Sequence, residues 1–554
     1  MRPTCQSALF LTLAVFASAG RADTPKASSP KESPPKESVA KESVAKSMPK
    51  ILPMTKLKPA KLMPHLCLLR YRVGTTSPEC QAFFDQGLGF FYSYAWMEAA
   101  RAFETATQHD AGCAMAWCAL SKAIERWGRG QQGPALKKAQ DLLPSVSHRE
   151  HLLIKARLEE KGMWPGVGPD ARKKAAIRTL DELLTLYEDD EEGWFHRAQL
   201  SDGGIAAVPS YKALLKYNPL HPGAHHELVH FYENFRRPAL GWPHALKYMQ
   251  SSPGMPHAFH MQAHLAMRLG RWDKTTDWSA QAIDMQRAYH KEMNIKHSED
   301  WQYSHHLEVL TQALIHDGRF REAGEIKKLC QEQRIQQPNQ WFRLHLAERN
   351  WQAALDLAGK KRKNDKIAAA YMAALVYLKK GETQRAAAEV EVLQEAHRRK
   401  RNDRQLESRL WETHGWLLCQ QGDADAGVKL LAKAVTRTKD DYNHHSWGHG
   451  AYYMETWGIG ALQGGKHDIA EEAFLEALAH DTGSVRGALG MQVLCERQGR
   501  SEEAARFAES AQRIWRRADP GKLQEELDAM RQQFPQRTAA ATNSQASPAG
   551  SEPK

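Results

Sequence analysis

The sequence lacks several signatures that would assign a reaction directly. Only 8 cysteines occur in 554 residues, and none forms a CxxC or CxxCH motif. A disulfide framework and covalently attached haem are therefore not expected. Alternating runs of Val, Ile and Thr are nearly absent, which argues against β-strands. No P-loop, no GxGxxG after a strand and no GxSxG is found, so the usual nucleotide-binding and serine-hydrolase motifs are missing.

The charge balance is moderately basic. The chain has 76 Lys and Arg against 65 Asp and Glu, which gives a net charge of +11. Part of this excess lies in a Lys-rich N-terminal segment and on faces of predicted helices, where charges are ordinarily solvated. A basic run from Arg398 to Arg404 is most simply a solvated helix end. We therefore expect no nucleic-acid partner.

Both ends of the chain have compositions that do not build a core. Residues 1–22 combine a basic start with a short apolar run and small residues, as a secretory signal peptide does. Residues 23–65 are rich in Lys, Glu, Ser and Pro and predict a disordered linker. Residues 535–554 predict a disordered tail. We expect an exported protein, periplasmic or secreted, that does not span a membrane.

Residues 66–534 show one amphipathic helix after another, and the pattern repeats. The spacing of Phe103 and Ala106 returns, for example, at Phe474 and Ala477. Six glycines stand where the two helices of a repeat would turn: Gly270, Gly318, Gly381, Gly422, Gly465 and Gly499. The segment GLGFFYSYAWMEAARAFETA resembles a tetratricopeptide repeat (TPR), and roughly ten such units fit the chain.

The TPR resemblance implies an all-α fold, a right-handed superhelical solenoid of helix-turn-helix units. In that family the first helix of each unit lines a concave groove. Such a groove is suited to an extended or helical segment of a protein partner. The resemblance says little about any particular activity, because one fold hosts many functions.

Histidines are concentrated in one part of the chain, since 12 of the 26 lie between residues 221 and 306. Two pairs have i,i+4 spacing, which places both rings on one helix face: His226 with His230, and His260 with His264. The pairs are separated by 34 residues, the length of one TPR unit. The same two positions of consecutive repeats therefore hold the same residue type.

The TPR resemblance also implies where these side chains point. Counted back from the turn glycines, their positions face the groove in that family. The groove set that the resemblance implies is His226, His230, Glu233, His257, His260, His264 and His305. Six imidazoles would then share one concave surface.

Imidazole clusters have three open interpretations. Neutral imidazole is the commonest zinc ligand and also suits copper, nickel and iron. Neighbouring helix axes lie about 8–10 Å apart, so His226, His230, His260 and His264 could hold one divalent ion, with zinc the first candidate. The histidines could instead contact a peptide or an anionic ligand without metal, or be buried in helix packing.

The segment from His226 to His230 matches HExxH, the motif with which zinc proteases supply two ligands and a general base. The glycine of the longer HExxHxxGxxH form is absent, and no edge strand is predicted to hold a substrate. A third ligand would have to be His257, His260 or His264. A peptidase is therefore not the expected function.

The histidine stretch also resembles an uncharacterised subgroup of exported bacterial TPR proteins. Their segments follow HPGAxHxxIHxxE and HxxHMxxH, which match residues 221–233 and 257–264 of this sequence. Glu227 is not a fixed position of that pattern, which weakens the protease interpretation further. The resemblance implies no established activity.

These patterns predict an exported TPR scaffold that binds a protein or peptide partner in its histidine-rich groove. The alternative function is a metal-binding protein or a metal-dependent hydrolase that uses His226, His230, His260 and His264. An enzyme is the less favoured of these classes, and no catalytic residue is assigned. The identity of the partner and the oligomeric state are left open.

Overall fold

A computed structural model describes residues 48–201, 204–440 and 451–534. The predicted signal peptide, the predicted linker up to residue 47 and the predicted tail lie outside these residues. The described ranges contain 25 α-helices, four short 3-10 helices and no strand. This confirms the all-α prediction.

The helices follow one another through short turns. The first thirteen are α1 (Pro78–Tyr92), α2 (Trp96–His109), α3 (Ala114–Trp127), α4 (Gln132–Asp141), α5 (His148–Lys161), α6 (Arg172–Leu186), α7 (Glu191–Gln199), α8 (Val208–Tyr217), α9 (Pro222–Asn234), α10 (Pro238–Ser251), α11 (Pro256–Arg268), α12 (Trp272–Met293) and α13 (Trp301–His316). The rest are α14 (Phe320–Glu332), α15 (Pro338–Ala347), α16 (Trp351–Arg362), α17 (Lys366–Lys380), α18 (Thr383–Arg399), α19 (Arg404–Gln421), α20 (Ala424–Asp440), α21 (Tyr452–Gln463), α22 (His467–His480), α23 (Val485–Gln498), α24 (Ser501–Ile514) and α25 (Lys522–Arg531).

Each helix packs on its neighbours in chain order, so the described residues form a solenoid of helical hairpins. The repeated aromatic fills the gap between units, as the sequence pattern predicts. The Phe474 ring is fully buried. A Cβ added at Gly458 or at Gly490 would come within 2.5 Å of that ring. Glycine at these two positions is what allows the helices to close on the aromatic.

The turn glycines behave as predicted. All six have a positive φ, from 65° at Gly270 to 96° at Gly422. This left-handed conformation is the one that commonly ends a helix, and glycine adopts it without a steric penalty. At Gly270 the space is also closed, because an added Cβ would lie 2.3 Å from an Asp481 carboxylate oxygen.

An extended segment before α1, residues 48–73, packs on the helices, and we call it the strap. The Thr55 main-chain nitrogen donates to the Glu104 carboxylate at 2.8 Å. The Leu68 main-chain nitrogen donates to the Ser251 carbonyl oxygen at 2.8 Å. The last part of the predicted linker thus belongs to the packed structure. Its partners lie far away in sequence, and local composition cannot indicate such partners.

The C-terminal hairpins contact the middle of the chain. The Trp272 indole donates to the Asp481 carboxylate at 3.1 Å, and the Trp515 indole donates to the His316 carbonyl oxygen at 2.8 Å. The Asp519 main-chain nitrogen donates to the carbonyl of the glycine after α13 at 2.9 Å. Helices α11 to α13 are therefore held between the N-terminal and the C-terminal repeats.

Two further properties concern the described residues only. Their seven cysteines are free and buried. None of their helices combines the length with the apolar character that a membrane crossing requires.

Candidate metal centre

Three helices bring the histidines together: α9, α11 and α13. The His221 imidazole caps α9 by accepting from the Ala224 main-chain nitrogen at 3.1 Å. Pro222 follows at the first helical position, where its missing N–H costs nothing. Gly223 comes next, and an added Cβ there would lie 2.7 Å from the Tyr92 ring. The HPGA segment therefore starts the helix and lets it approach α1 closely.

Capping also fixes the start of α13. Asp300 accepts at its carboxylate from the Gln302 main-chain nitrogen at 3.0 Å. The same carboxylate lies 2.8 Å from Nε2 of His290 on α12. On α11, His257, His260 and His264 share one face because their spacing is three and then four residues. That face lies between α9 and α13.

The six predicted histidines form two clusters. The first triad comprises His226, His230 and His257. The second triad comprises His260, His264 and His305. Within each triad one nitrogen from every ring lies within 4.8 Å of the other two.

This arrangement corrects the single four-histidine site drawn from the sequence, because His226, His230, His260 and His264 fall into two different clusters. Each i,i+4 pair is instead joined by a third ring from another helix. His257 on α11 joins the pair on α9, and His305 on α13 joins the pair on α11. The His257 ring centre lies 4.8 Å from that of His226, and the His305 ring centre lies 4.7 Å from that of His260.

Burial bears on the groove interpretation. His226, His257, His260 and His264 are at most 6% exposed. Only one side chain of each triad reaches the surface in part, His230 at 29% and His305 at 20%. A protein partner could therefore touch the edges of the two triads but not most of their rings.

Burial also sets the protonation of the imidazoles. It lowers the pKa of His226, His257 and His260 well below the ordinary value, and neighbouring imidazoles lower it further. It lowers the pKa of His264 as well, although Glu233 opposes that shift. The buried rings are neutral at neutral pH, which is the form that offers a lone pair to a metal.

Hydrogen bonds complete a chain through the first triad. His226 Nδ1 lies 2.6 Å from the Tyr92 carbonyl oxygen, which can only accept, so Nδ1 holds the proton. Gln302 Nε2 donates to the Ser93 carbonyl at 2.9 Å and lies 3.1 Å from His257 Nδ1. His257 Nδ1 is then the acceptor, and its Nε2–H donates to His226 Nε2 at 3.1 Å.

In the second triad one ring has a carboxylate at hydrogen-bond distance. His264 Nδ1 lies 3.1 Å from Glu233 Oε1, so the proton sits on Nδ1 and the Nε2 lone pair is turned away from Glu233. His305 Nδ1 lies 3.8 Å from Glu308 Oε2, beyond hydrogen-bond distance. The two Nε2 atoms, of His264 and His305, are 3.3 Å apart. His260 Nδ1 is buried and has no hydrogen-bond partner among the described residues.

The distance between those two nitrogens fits a bound metal. Zinc–imidazole bonds are about 2.0–2.1 Å long, and tetrahedral geometry then separates two ligand nitrogens by about 3.3–3.4 Å. The separation of His264 and His305 falls at this value. Without a proton or a cation between them, two lone pairs at that distance would repel each other.

Glu233 lies between the two triads. Its carboxylate contacts His264 Nδ1 at 3.1 Å and His230 Nδ1 at 3.7 Å, and it accepts from Arg268 at 2.7 Å. These three partners hold the pKa of Glu233 well below its usual range, although burial opposes them. Glu233 is therefore ionised and orients one ring of each triad, as outer carboxylates do in metal sites.

The HExxH glutamate belongs to the edge of the first triad. Glu227 Oε1 accepts from the Tyr94 hydroxyl at 2.9 Å. The Tyr94 ring stacks on His230 and lies 4.5 Å from the His226 ring centre. Of the three candidates for a third ligand, His257 is the residue that joins the HExxH pair.

Several residues that position the imidazoles and their neighbouring carboxylates could not be predicted from the sequence. Tyr94, Gln302 and Arg268 carry no recognisable motif, and their partners lie on other helices. His306 also lies beside the second triad. Its ring centre lies 4.0 Å from that of His260, and its Nδ1 contacts Gln286 Oε1 at 2.8 Å. No signal in a single sequence indicates such contacts.

Comparison with known proteins adds little to this geometry. No protein-family model matches the sequence. No curated protein matches it either. Among solved structures, the crystal structure of yeast Tom70 matches with a TM-score of 0.31 and 13% sequence identity, over 82% of this chain and 94% of that chain. At this TM-score the likeness supports no argument.

Proposed function

We propose that the protein binds one divalent transition-metal ion at the second triad, through His260, His264 and His305. The observation that supports this most directly is the pair of Nε2 atoms 3.3 Å apart on His264 and His305. The His264 ring has the Glu233 carboxylate at Nδ1, so its Nε2 is the nitrogen that faces His305. His260 completes the set of three ligands, because one of its nitrogens lies within 4.8 Å of a nitrogen of each other ring.

An all-imidazole set indicates the class of metal. Imidazole suits zinc, copper, nickel and iron, whereas magnesium and calcium prefer oxygen ligands. Zinc is the first candidate because the nitrogen separation matches tetrahedral geometry. Three protein ligands leave one position for water or another ligand, and His305, at 20% exposure, is the member of the triad nearest to solvent.

The first triad is less suited to a metal in its present hydrogen bonding. The proton between His226 and His257 occupies the place of a cation. Metal binding there would require His257 to move its proton to Nδ1, which faces the Gln302 amide N–H at 3.1 Å. We therefore assign the metal to the second triad alone.

Metal analysis tests this assignment. The full chain would be purified with a tag that contains no histidine, loaded with zinc and desalted, and its metal content measured by mass spectrometry. We expect about one ion per chain. Replacement with cobalt(II) should give the intense visible absorption of tetrahedral coordination, which reports the geometry independently of the stoichiometry.

Two matched variants locate the ion. His305→Ala and His230→Ala each remove the partly exposed member of one triad, so both should fold. His305→Ala should lose the metal and the cobalt spectrum, whereas His230→Ala should keep both. The assignment fails if the wild-type chain retains none of zinc, cobalt, copper or nickel. It also fails if His230→Ala loses the metal and His305→Ala keeps it.

Protein binding is the second candidate, and the repeated helical-hairpin fold supports it in general terms. Helical-hairpin arrays present long surfaces that suit extended or helical segments. Partner contacts at the triads would be limited to the edges of His230 and His305, since the other rings are buried. Residues 1–22 predict export, so the protein would meet both the metal and any partner outside the cytoplasm.

A further inference from the structure

A cavity lies beside the first triad, and the chemistry of its wall differs from that of the histidine clusters. Its volume is about 290 Å³, at the small end of the range for ligand pockets. Gln302 connects the two places, because it lines the cavity and contacts His257. The strap closes one side with Met63 and Leu66. None of the six clustered histidines lines this cavity.

Aromatic and thioether side chains form most of the wall. The aromatic residues are Phe90, Trp96, Trp127, Tyr289 and Trp301. Four methionines also line the cavity, and their flexible side chains adapt to ligands of different shape. Trp301 stands at the start of α13 with 56% of its surface exposed, which is unusual for so large an apolar side chain. The wall is therefore suited to the apolar body of an organic molecule.

The charged residues of the wall all have one sign. Glu98, Glu292, Glu299 and Asp300 line the cavity, and among its described lining residues there is no Lys, Arg or His. The whole chain has a net charge of +11, so this local excess of carboxylates runs against the overall balance. Charge complementarity favours a cationic ligand.

Glu98 is the buried carboxylate of the set, with 7% of its surface exposed. Its Oε2 accepts from the Tyr289 hydroxyl. Its Oε1 makes no hydrogen bond among the described residues and lies 3.5 Å from Arg101. Burial raises the pKa of Glu98. Arg101 already places a positive charge beside Glu98, so the attraction for a cationic ligand comes from the exposed carboxylates of the wall.

The remaining carboxylates differ in their hydrogen-bond partners and in their exposure. Asp300 already accepts from His290 and from the start of α13. Glu292 and Glu299 are exposed and form no ion pair within the described part of the chain. The Lys61 ammonium donates to the main-chain oxygen of Glu292 at 3.3 Å, so it is engaged by backbone. Glu299 Oε2 also accepts from the Lys296 main-chain nitrogen at 3.3 Å. Glu292 and Glu299 are thus the exposed carboxylates of the wall.

We propose that this cavity binds a small amphipathic organic cation, a quaternary or protonated amine attached to an apolar group. The apolar group would pack among the methionines and aromatic rings. The cationic head would lie against Trp301 and the carboxylates, because indole faces and carboxylates both attract organic cations. One indole of the wall already has such a contact, since the Arg126 guanidinium lies 5.9 Å from the Trp96 ring centre. This site is independent of the metal.

Binding of three probes of one shape tests the proposal. Benzyltrimethylammonium is the cation, benzyl alcohol the neutral probe and benzenesulfonate the anion, and tryptophan fluorescence together with calorimetry reports binding to the full chain. We expect the cation to bind roughly tenfold more tightly than the neutral probe, and the anion not to bind. Equal affinity for all three probes, or no binding of the cation at millimolar concentration, would overturn the proposal.

Variants locate the site and separate it from the metal. Trp301→Ala changes an exposed side chain and should weaken the cation roughly tenfold. Glu292→Gln with Glu299→Gln should weaken it less and leave the neutral probe unaffected. Leu475→Ala, which changes another exposed apolar side chain, on α22, is the control. If Trp301→Ala binds the cation as the control does, the assigned site is wrong. His305→Ala should bind the cation like the wild type, so failure of either proposal can be told from failure of the other.

Discussion

Each triad consists of three histidine rings, and the two triads differ in the hydrogen-bond partners of those rings. In each triad, an i,i+4 pair from one helix meets a third histidine from another helix. The Nε2 atoms of His226 and His257 lie 3.1 Å apart in the first triad, and those of His264 and His305 lie 3.3 Å apart in the second. In the first triad an amide and a carbonyl direct one proton between His226 and His257. In the second, the Glu233 carboxylate holds the proton of His264 on its outer nitrogen. Three clustered imidazoles therefore do not by themselves make a metal site, because the outer partner decides which nitrogen offers its lone pair.

Glu233 is the residue that the two triads share, and its replacement should have the largest effect. Glu233→Gln removes a buried charge that pairs with Arg268, whose side chain is 8% exposed. Removal of one partner of a buried ion pair costs about 3–5 kcal/mol of the free energy of unfolding. The loss of the carboxylate behind His264 should weaken metal binding roughly 10- to 100-fold. Chemical denaturation and zinc titration measure the two effects.

The double variant Glu233→Gln, Arg268→Met separates charge burial from metal affinity. It removes both members of the ion pair, so a good part of the stability should return. Zinc affinity should stay low, because His264 still lacks its carboxylate. If affinity returns together with stability, Glu233 acts only through folding and its outer role at the second triad is disproved.

The next largest effect should come from Gln302, which holds the first triad in its metal-free tautomer. Gln302→Leu leaves the buried Ser93 carbonyl without its donor. That loss should cost about 1–3 kcal/mol of the free energy of unfolding. It also frees His257 to place its proton on Nδ1. Zinc stoichiometry at saturation should then rise from about one to about two ions per chain.

Gln286→Leu is the matched control for this change. Gln286 is another buried amide, and it donates to Asp300 and accepts from His306, away from His257. It should lose a comparable amount of stability without gaining a metal ion. A stoichiometry that stays at one in Gln302→Leu would show that the tautomer is not what separates the two triads.

The sequence predicted the fold well because the fold depends on local and periodic features. The positive φ of Gly270 and the buried ring of Phe474 follow from a turn and a repeat that the spacing alone reveals. The boundary of the predicted linker was less reliable. The Thr55 main-chain nitrogen donates to Glu104, a residue 49 positions away, and amino-acid composition cannot indicate that contact.

The sequence indicated which histidines lie near one another but not how they divide into two triads. Helical spacing indicates that His226 and His230 share a face, and the repeat length indicates that His260 and His264 do so as well. The assignment of His257 to one pair and of His305 to the other depends on how α9, α11 and α13 are offset. The tautomers depend on side chains such as Gln302 that come from yet other positions. These contacts depend on how the helices pack and leave no periodic pattern in the sequence.

The smallest effect should come from Tyr94, and it bears on the HExxH motif. Tyr94→Phe keeps the ring that packs on His226 and His230 but removes the hydroxyl that donates to Glu227 at 2.9 Å. Glu227 is half-buried, so water can replace much of the bond, and the loss should be about 1 kcal/mol in the free energy of unfolding. The pKa of Glu227, raised by burial and lowered by Tyr94, should rise further.

Metal content decides what that small change means. If the metal lies at the second triad, Tyr94→Phe should leave zinc stoichiometry and the cobalt spectrum unchanged, because the histidine rings against which Tyr94 packs belong to the first triad. If the HExxH pair and His257 held the ion, Glu227 would lie beside it as a general base. A change in its hydrogen bonding would then alter the cobalt spectrum. An altered spectrum in Tyr94→Phe, together with an unaltered one in His305→Ala, would move the metal to the first triad and reverse the comparison between the two.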